Sequence, residues 1–90
     1  MESIASKEFW RLFERLPEEI QRQTREAFAQ FKNDPFNPGL NFELVNRRRG
    51  LWSVRVTRGY RVIGRRQQDI IRWIWIGKHD EYDYMINHLT

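Results

Sequence analysis

The sequence predicts an α+β fold: an N-terminal helical hairpin packed on a twisted, four-stranded, mainly antiparallel sheet, followed by a short C-terminal helix. Three observations predict it. Apolar residues recur every three or four positions in the first third of the chain, alternate with polar residues in the middle, and return to helical spacing at the end. Ninety residues with no repeat and no linker composition are expected to form a single domain, residues 1–90.

The first third of the chain predicts two helices. The first is expected over residues 7–16, with Ser6 as its N-cap. Pro17 should end it and begin the second helix, where a missing N–H costs nothing. The second helix is expected to end near Asn33. Its predicted buried stripe consists of Ile20, Thr24, Ala27, Phe28 and Phe31.

Four strands are expected after the turn-forming segment 34–39. Alternation predicts strands around residues 42–45 and 52–57, and a third strand begins at Tyr60. Residues 70–76 are apolar at almost every position, which is typical of a central strand covered on both faces. The short connections favour an antiparallel meander.

The hairpin between the second and third predicted strands sets two arginines against each other. A three-residue loop, Thr57-Arg58-Gly59, with Gly59 in a left-handed conformation, would place Arg55 opposite Arg61. The same register pairs Val54 with Val62 and Val56 with Tyr60. A two-residue turn would instead set Arg61 against Val56 and bury its charge. Facing arginines repel, which favours an anionic ligand; the alternatives are solvation or neutralisation by Glu43.

The tail predicts a helix over residues 80–89, with Asp80 as its cap. Its predicted apolar face consists of Tyr82, Met85, Ile86 and Leu89.

Positive charge is concentrated in one part of the chain. Residues 47–66 hold eight arginines and no acidic residue, whereas the whole chain has a net charge of +4. Arginine forks fit phosphate oxygens in bidentate geometry. This segment therefore predicts a polyanionic partner, most plausibly RNA.

Composition excludes several other classes of site. The chain has no cysteine, so it has neither a disulfide nor a thiolate nucleophile, and its two histidines are too few for a histidine-rich metal site. We expect no signal peptide, because the first residues lack a basic region followed by an apolar run. The longest apolar run, residues 73–76, is far shorter than the roughly 20 residues that span a bilayer. We expect a cytoplasmic protein without a cofactor.

The order of these segments resembles the RelE/ParE superfamily of small toxins from type II toxin–antitoxin modules. The segments that carry the resemblance are 9–13, 16–20, 34–42, 52–56, 59–63 and 73–83. Most specific are the arginine-bearing hairpin and the sequence Gly77-Lys78-His79-Asp80-Glu81-Tyr82 that follows the last strand.

The resemblance implies a metal-independent endoribonuclease that cleaves mRNA, in some relatives on the ribosome, and a cognate antitoxin as its partner. It implies that Arg61 stabilises the phosphorane and that Arg55 holds the scissile phosphate. His79 is the implied general acid, Glu43 the general base, and Tyr82 a further catalytic or base-stacking residue. Lys78 is implied to contribute charge. From their charge alone, Arg47, Arg48 and Arg49 are expected to attract phosphate without specificity, and the alternative for them is a solvated turn.

Alternatives stand beside these roles. His79 also suits a junction residue bonded to a carbonyl, and the spacing of Tyr82 also suits core packing. Glu43 can pair with Arg55 or Arg61. Many RelE-like enzymes have an arginine in the stretch before the last helix, where this chain has Gly77-Lys78-His79, and this departure leaves open a ParE-like inhibitor of DNA gyrase. A toxin that only binds its antitoxin and a general RNA-binding module are further alternatives.

Overall fold

Five strands form one sheet with three helices around it in residues 1–89, the part of the chain that the computed structural model describes. The elements in chain order are β1 (Glu2–Ala5), α1 (Lys7–Phe13), α2 (Glu18–Asn33), a short 3-10 turn (Pro38–Leu40), β2 (Glu43–Asn46), β3 (Leu51–Thr57), β4 (Tyr60–Gln67), β5 (Ile70–Lys78) and α3 (His79–His88). The strand order is β1-β5-β4-β3-β2. The predicted α+β class, with its antiparallel meander β2–β5, is confirmed.

The prediction of four strands was wrong by one, because β1 adds a fifth strand at the edge. β1 pairs in parallel with the first half of β5. The Glu2 N–H donates to the Asp69 carbonyl at 2.8 Å, and the Ser6 N–H donates to the Trp73 carbonyl at 3.0 Å. The four residues of β1 are mostly exposed and show no alternation of buried and exposed positions. Their extended conformation depends on a strand that lies nearly 70 residues away in the sequence.

The helical hairpin follows the prediction except at the end of its first helix. Ser6 caps α1 as expected, since its hydroxyl accepts the Phe9 N–H at 3.1 Å. The helix ends at Phe13, not at Leu16. Here i→i−3 hydrogen bonds replace the α-helical ones: Arg15 N–H donates to Leu12 and Leu16 N–H to Phe13. Pro17 occupies the N-cap of α2.

The register of the β3–β4 hairpin is confirmed at its centre and corrected at its tip. Arg55 lies opposite Arg61, and Val54 lies opposite Val62. Thr57, and not Val56, pairs with Tyr60, because the register shifts between Arg55 and Thr57. The expected left-handed Gly59 is wrong, since the only residues with positive φ in residues 1–89 are Asn41, Gly50 and Gln68.

The sheet carries a core on each face. The larger core lies under α1 and α2. Its fully buried side chains include Phe9, Phe31, Val54, Val62, Ile71 and Trp73. The smaller core lies under α3. It is built from Leu51, Ile63, Trp75 and Tyr82, with Met85, Ile86 and Leu89 packed against it. The predicted apolar face of the tail helix is therefore confirmed.

The C-terminal helix begins one residue earlier than predicted. Lys78 is its N-cap residue and makes no side-chain capping hydrogen bond, so the expected cap by Asp80 is wrong. Asp80 instead lies in the first turn, where a carboxylate suits the positive end of the helix dipole. No helix within residues 1–89 is long and apolar enough to cross a membrane.

Candidate functional site

The candidate site lies where the tip of the β3–β4 hairpin meets the start of α3. Arg61 on β4 lies opposite Arg55 on one side and opposite Gly77 of β5 on the other. Residues opposite each other in register share a face of the sheet. The His79 N–H donates to the Gly59 carbonyl at 2.8 Å. This bond ties the first turn of α3 to the hairpin tip.

The guanidinium of Arg61 is held by carbonyl groups of its own hairpin. Its Nη1 donates to the carbonyls of Thr57 at 2.8 Å, Arg58 at 3.2 Å and Tyr60 at 3.2 Å. Neutral carbonyls fix the position of the group without cancelling its charge. Arg61 forms no ion pair with a carboxylate of residues 1–89. A half-buried, positioned cation with remaining N–H donors is suited to bind an anion.

Arg55 is the exposed member of the facing pair. It borders a depression of about 180 Å³ between β3 and α2, which Gln23 and Glu26 also line. It too forms no ion pair within the described chain. Glu43, the proposed neutralising residue, lies opposite Ser53 and pairs with neither arginine. The β3–β4 register therefore brings two arginine residues without ion-pair partners to this end of the sheet.

Tyr82 is buried beneath the first turn of α3. Its hydroxyl donates to the Ser53 Oγ at 2.9 Å, and the two residues are only 9% and 2% exposed. Burial is the largest cause of a raised Tyr82 pKa. The bond to Ser53 lowers that pKa, Glu43 and Asp83 raise it, and Arg61 lowers it. The phenol is thus neutral near neutral pH, and this geometry matches the core-packing alternative for Tyr82.

His79 and Lys78 are exposed at the junction between β5 and α3. The His79 ring stacks toward that of Tyr82, with 6.0 Å between their centroids. The buried phenol thus supports one side of an exposed imidazole. Gly77 precedes them, and a Cβ atom there would come within 2.4 Å of the Trp75 ring. Only glycine lets the Trp75 indole fold over this part of β5.

The structure does not bring Arg47, Arg48 and Arg49 to the hairpin tip. They form the β2–β3 turn, at the end of β3 where Leu51 pairs with Arg65. At about 3.3 Å per residue, four residues of strand put roughly 13 Å between that row and the row of Arg55. The Arg49 guanidinium donates to the Asn87 carbonyl and so fastens the end of α3.

Ser53 is the residue of this site that sequence reasoning missed. In the sequence Ser53 and Arg55 alternate with the apolar residues Trp52, Val54 and Val56, a pattern typical of a solvated face, but α3 covers Ser53 and buries it. The apolar face of the tail helix is the signal that could have found it. A helix with an apolar face must cover part of the sheet to bury that face, and Ser53 lies on the same face of the sheet as Leu51. The partner of its hydroxyl could not be read from the sequence.

The acidic and histidine side chains do not gather as a metal site would require. Residues 1–89 contain no group of three or more metal-ligating side chains from histidine, cysteine, aspartate and glutamate. The cationic side chains at this site are those of Arg55, Arg61 and Lys78.

Comparison with known proteins gives one family and several similar folds. The family model described as "ParE-like toxin domain" matches residues 18–84. No curated protein matches the sequence. Among solved structures, the YoeB/ParE toxin from Agrobacterium tumefaciens is 20% identical, with a TM-score of 0.67 over 88% of this chain and 99% of that one.

Two further structures share the fold. A chain of the RelB-RelE antitoxin-toxin complex from Methanococcus jannaschii is 17% identical, with a TM-score of 0.72 over 90% of this chain and 96% of that one. YafQ from E. coli strain BL21(DE3) is 12% identical, with a TM-score of 0.69 over 90% of this chain and 96% of that one. At these identities the likeness concerns the fold alone.

Proposed function

This chain belongs to the ParE-like toxin domain family of the RelE/ParE superfamily, and we propose that it is a metal-independent endoribonuclease acting on mRNA. A single observation carries the proposal. Three carbonyls fix the Arg61 guanidinium, Arg61 lies opposite Arg55 in register, and no carboxylate of residues 1–89 neutralises either side chain in an ion pair.

The proposed reaction is attack of the ribose 2′-OH on the adjacent phosphorus. The 2′-oxygen bonds to phosphorus as its proton passes to a base, and the bond to the 5′-oxygen breaks as that oxygen receives a proton from an acid. The products are a 2′,3′-cyclic phosphate and a 5′-OH. The pentavalent intermediate gathers negative charge on its non-bridging oxygens, where fixed cations stabilise it most. Arg61 has this role, and Arg55 holds the phosphate before attack.

The strand order supports the choice of base and acid. Glu43 lies on β2 and His79 follows β5, whereas Arg55 and Arg61 lie on the two strands between them. Attacking and leaving oxygens stand on opposite sides of the phosphorus in an in-line displacement. A base on one side and an acid on the other side of the arginines suit that geometry. Glu43 is the proposed base and His79 the proposed acid.

Other residues contribute around the reacting centre. Lys78 adds charge beside His79, and the turn 47–49 attracts the RNA backbone at the far end of the sheet face. The Tyr82 hydroxyl already donates a hydrogen bond to the Ser53 Oγ. In the proposed reaction Tyr82 therefore positions α3 and supports the His79 ring, because a ring that is only 9% exposed has no open face on which to stack a base.

A cognate antitoxin is the proposed protein partner, and the translating ribosome is a proposed site of action in the cytoplasm. The matched Methanococcus jannaschii chain was solved as an antitoxin–toxin complex. That partnership is proposed here because this chain belongs to the same superfamily.

An inhibitor of DNA gyrase is the second candidate function, favoured by the ParE-like description of the matching family. Its target would be a protein, and the phosphodiester chemistry above would be absent. A toxin that only binds its antitoxin would lack both activities.

The deciding experiment incubates the purified protein with RNA and EDTA, alone and with translating ribosomes, beside Arg61→Ala and His79→Ala. Cleavage that persists in EDTA and is lost in both variants supports the ribonuclease. Intact RNA together with inhibited gyrase supercoiling would overturn it in favour of the second function. Intact RNA and normal supercoiling would leave only antitoxin binding.

A further inference from the structure

A second surface on the same sheet face combines exposed aliphatic and basic side chains. Ile4, Arg65, Gln67, Ile70 and Arg72 surround a depression of about 190 Å³. We call these five residues the Ile4–Ile70 patch. Ile4 is 42% exposed and Ile70 43% exposed, although both lie within strands. Large aliphatic side chains grouped at this exposure mark a site of contact more often than isolated ones do.

The sheet register makes the patch continuous. Ile4 of β1 lies opposite Arg72 of β5, which lies opposite Arg65 of β4. Ile70 lies opposite Gln67 in the next row on that face. The α3 helix covers Leu51, Ile63 and Trp75 further along the sheet. It leaves this corner bare within residues 1–89.

The charge of the patch is positive. Neither Arg65 nor Arg72 forms an ion pair in the described chain, and Arg65 is oriented by a 3.1 Å bond from its Nε to the Arg49 carbonyl. Two carboxylates lie nearby: Glu2, which is opposite Ile70, and Asp69 in the β4–β5 turn. Asp69 lies 3.9 Å from the N-terminal amine, which offsets it.

We propose that the Ile4–Ile70 patch docks an acidic segment of a partner protein. The segment places one aliphatic side chain between Ile4 and Ile70 and carboxylates beside Arg65 and Arg72. Its assignment to the antitoxin rests on the proposed function, whereas the chemistry of the segment does not. A protein segment fits better than a nucleic acid, because a phosphate backbone gains nothing from two exposed isoleucines.

In the experiment, peptides that bind the full chain are selected from a phage-displayed library of 16-residue peptides. The dissociation constants of the enriched peptides are then measured by fluorescence anisotropy for the wild type, Ile4→Ser and Arg72→Glu. Matched controls are Phe36→Ser, another exposed apolar residue, and Lys32→Glu, a cation on α2 across the sheet. We expect the enriched peptides to share an aliphatic residue flanked by Asp or Glu. Binding should be about tenfold weaker for both patch variants and unchanged for both controls.

Three results would overturn the proposal. Enriched peptides that bind all five proteins equally would place the docking site elsewhere. If Arg72→Glu no longer binds a 12-nucleotide RNA but still binds the enriched peptides, the patch belongs to a nucleic-acid site. Sedimentation showing a wild-type dimer that Ile4→Ser dissociates would assign it to a second copy of the chain. None of these depends on RNA cleavage, so failure of the ribonuclease proposal remains a separate result.

Discussion

At the scale of single residues, Arg61 combines a fixed position with an uncancelled charge. Three backbone carbonyls accept bonds from its Nη1. Such bonds set the direction of the guanidinium before a substrate arrives, so less ordering remains to be done on binding. Lysine carries the same charge but lacks the planar fork. Arg61→Lys therefore separates charge from geometry.

We expect Arg61→Lys to lower kcat for RNA cleavage about 100-fold, in the range found when one fixed transition-state donor is removed. Arg61→Gln should lower it at least as much. The measurement is single-turnover cleavage at saturating RNA, with Arg25→Ala on α2 as the control. A fully active lysine variant would mean that charge alone suffices. An active glutamine variant would remove Arg61 from the reaction.

Tyr82 offers a pH test of the buried bond to Ser53. Its pKa in the folded protein is raised above the ordinary value of 10.0, mainly by burial. A raised pKa means that the unfolded chain releases the phenolic proton first, so the contribution to stability is complete below pH 10 and is lost as pH rises toward the folded pKa. Below pH 10, Tyr82→Phe should cost about 1 kcal/mol through the lost hydrogen bond.

The corresponding measurement is urea unfolding of the wild type and Tyr82→Phe from pH 7 to 11. The difference in unfolding free energy should be constant up to about pH 10 and then shrink, because only the wild type loses the contribution of Tyr82. Ser53→Ala should show a similar deficit near pH 7. A difference that grows above pH 10 would show that the phenol titrates more readily in the folded protein.

At the scale of elements, β4 and β5 depend on close approach at Gly64. Gly64 pairs with Trp73, and a Cβ atom on Gly64 would lie 2.6 Å from Trp73 Cε3 and 2.9 Å from Ile71. The Trp73 ring cannot retreat easily. Phe28 stacks on it at 5.3 Å between centroids, and its Nε1 donates to the Ser3 Oγ at 2.6 Å.

Gly64→Ala should therefore lower the unfolding free energy by about 1–3 kcal/mol, the usual cost of overpacking a buried contact. Gly59→Ala is the matched control, because a Cβ atom at Gly59 has nothing within 4 Å. Its effect should stay within about 0.5 kcal/mol. Equal losses for the two variants in chemical denaturation would contradict the close contact between Gly64 and Trp73.

At the scale of the whole molecule, positive charge occupies both ends of one sheet face. The hairpin tip carries Arg55 and Arg61, and the β2–β3 turn carries three consecutive arginines. Because α3 covers the sheet between these groups, we expect a nucleic-acid strand cut at the hairpin tip to reach the turn by running along α3. Binding of this kind releases counterions from the nucleic acid. Because that release is less favourable at high salt, the affinity falls as the salt concentration rises.

Replacing both Arg47 and Arg48 by alanine should flatten the salt dependence of RNA binding. Each phosphate contact contributes about 0.7 to the slope for a single strand, so the slope of log K against log salt should fall by about 1.4. The loss should appear in KM and not in kcat. Fluorescence anisotropy from 50 to 300 mM salt, roughly the range in which such slopes are measured, checks it. An unchanged slope would place the RNA away from this turn.

Much of the architecture could be predicted from the sequence because it depends on local patterns. Apolar spacing predicted both N-terminal helices and the tail helix, and alternation predicted the strands of the meander. The facing of Arg55 and Arg61 was also predictable, since turn length and alternation together restrict the register of a hairpin. The tip was harder, because a bulge at Val56 and a left-handed Gly59 satisfy the same alternation.

Tertiary structure alone decided the remaining features, because each depends on residues far apart in the chain. β1 became a strand only by pairing with β5, and Ser53 became buried only when α3 brought Tyr82 across 29 positions of sequence. The same packing brought the Arg49 guanidinium against the Asn87 carbonyl at the end of α3, 38 positions away in the sequence. Local preference sets which elements form, whereas long-range burial and hydrogen bonding decide which side chains meet.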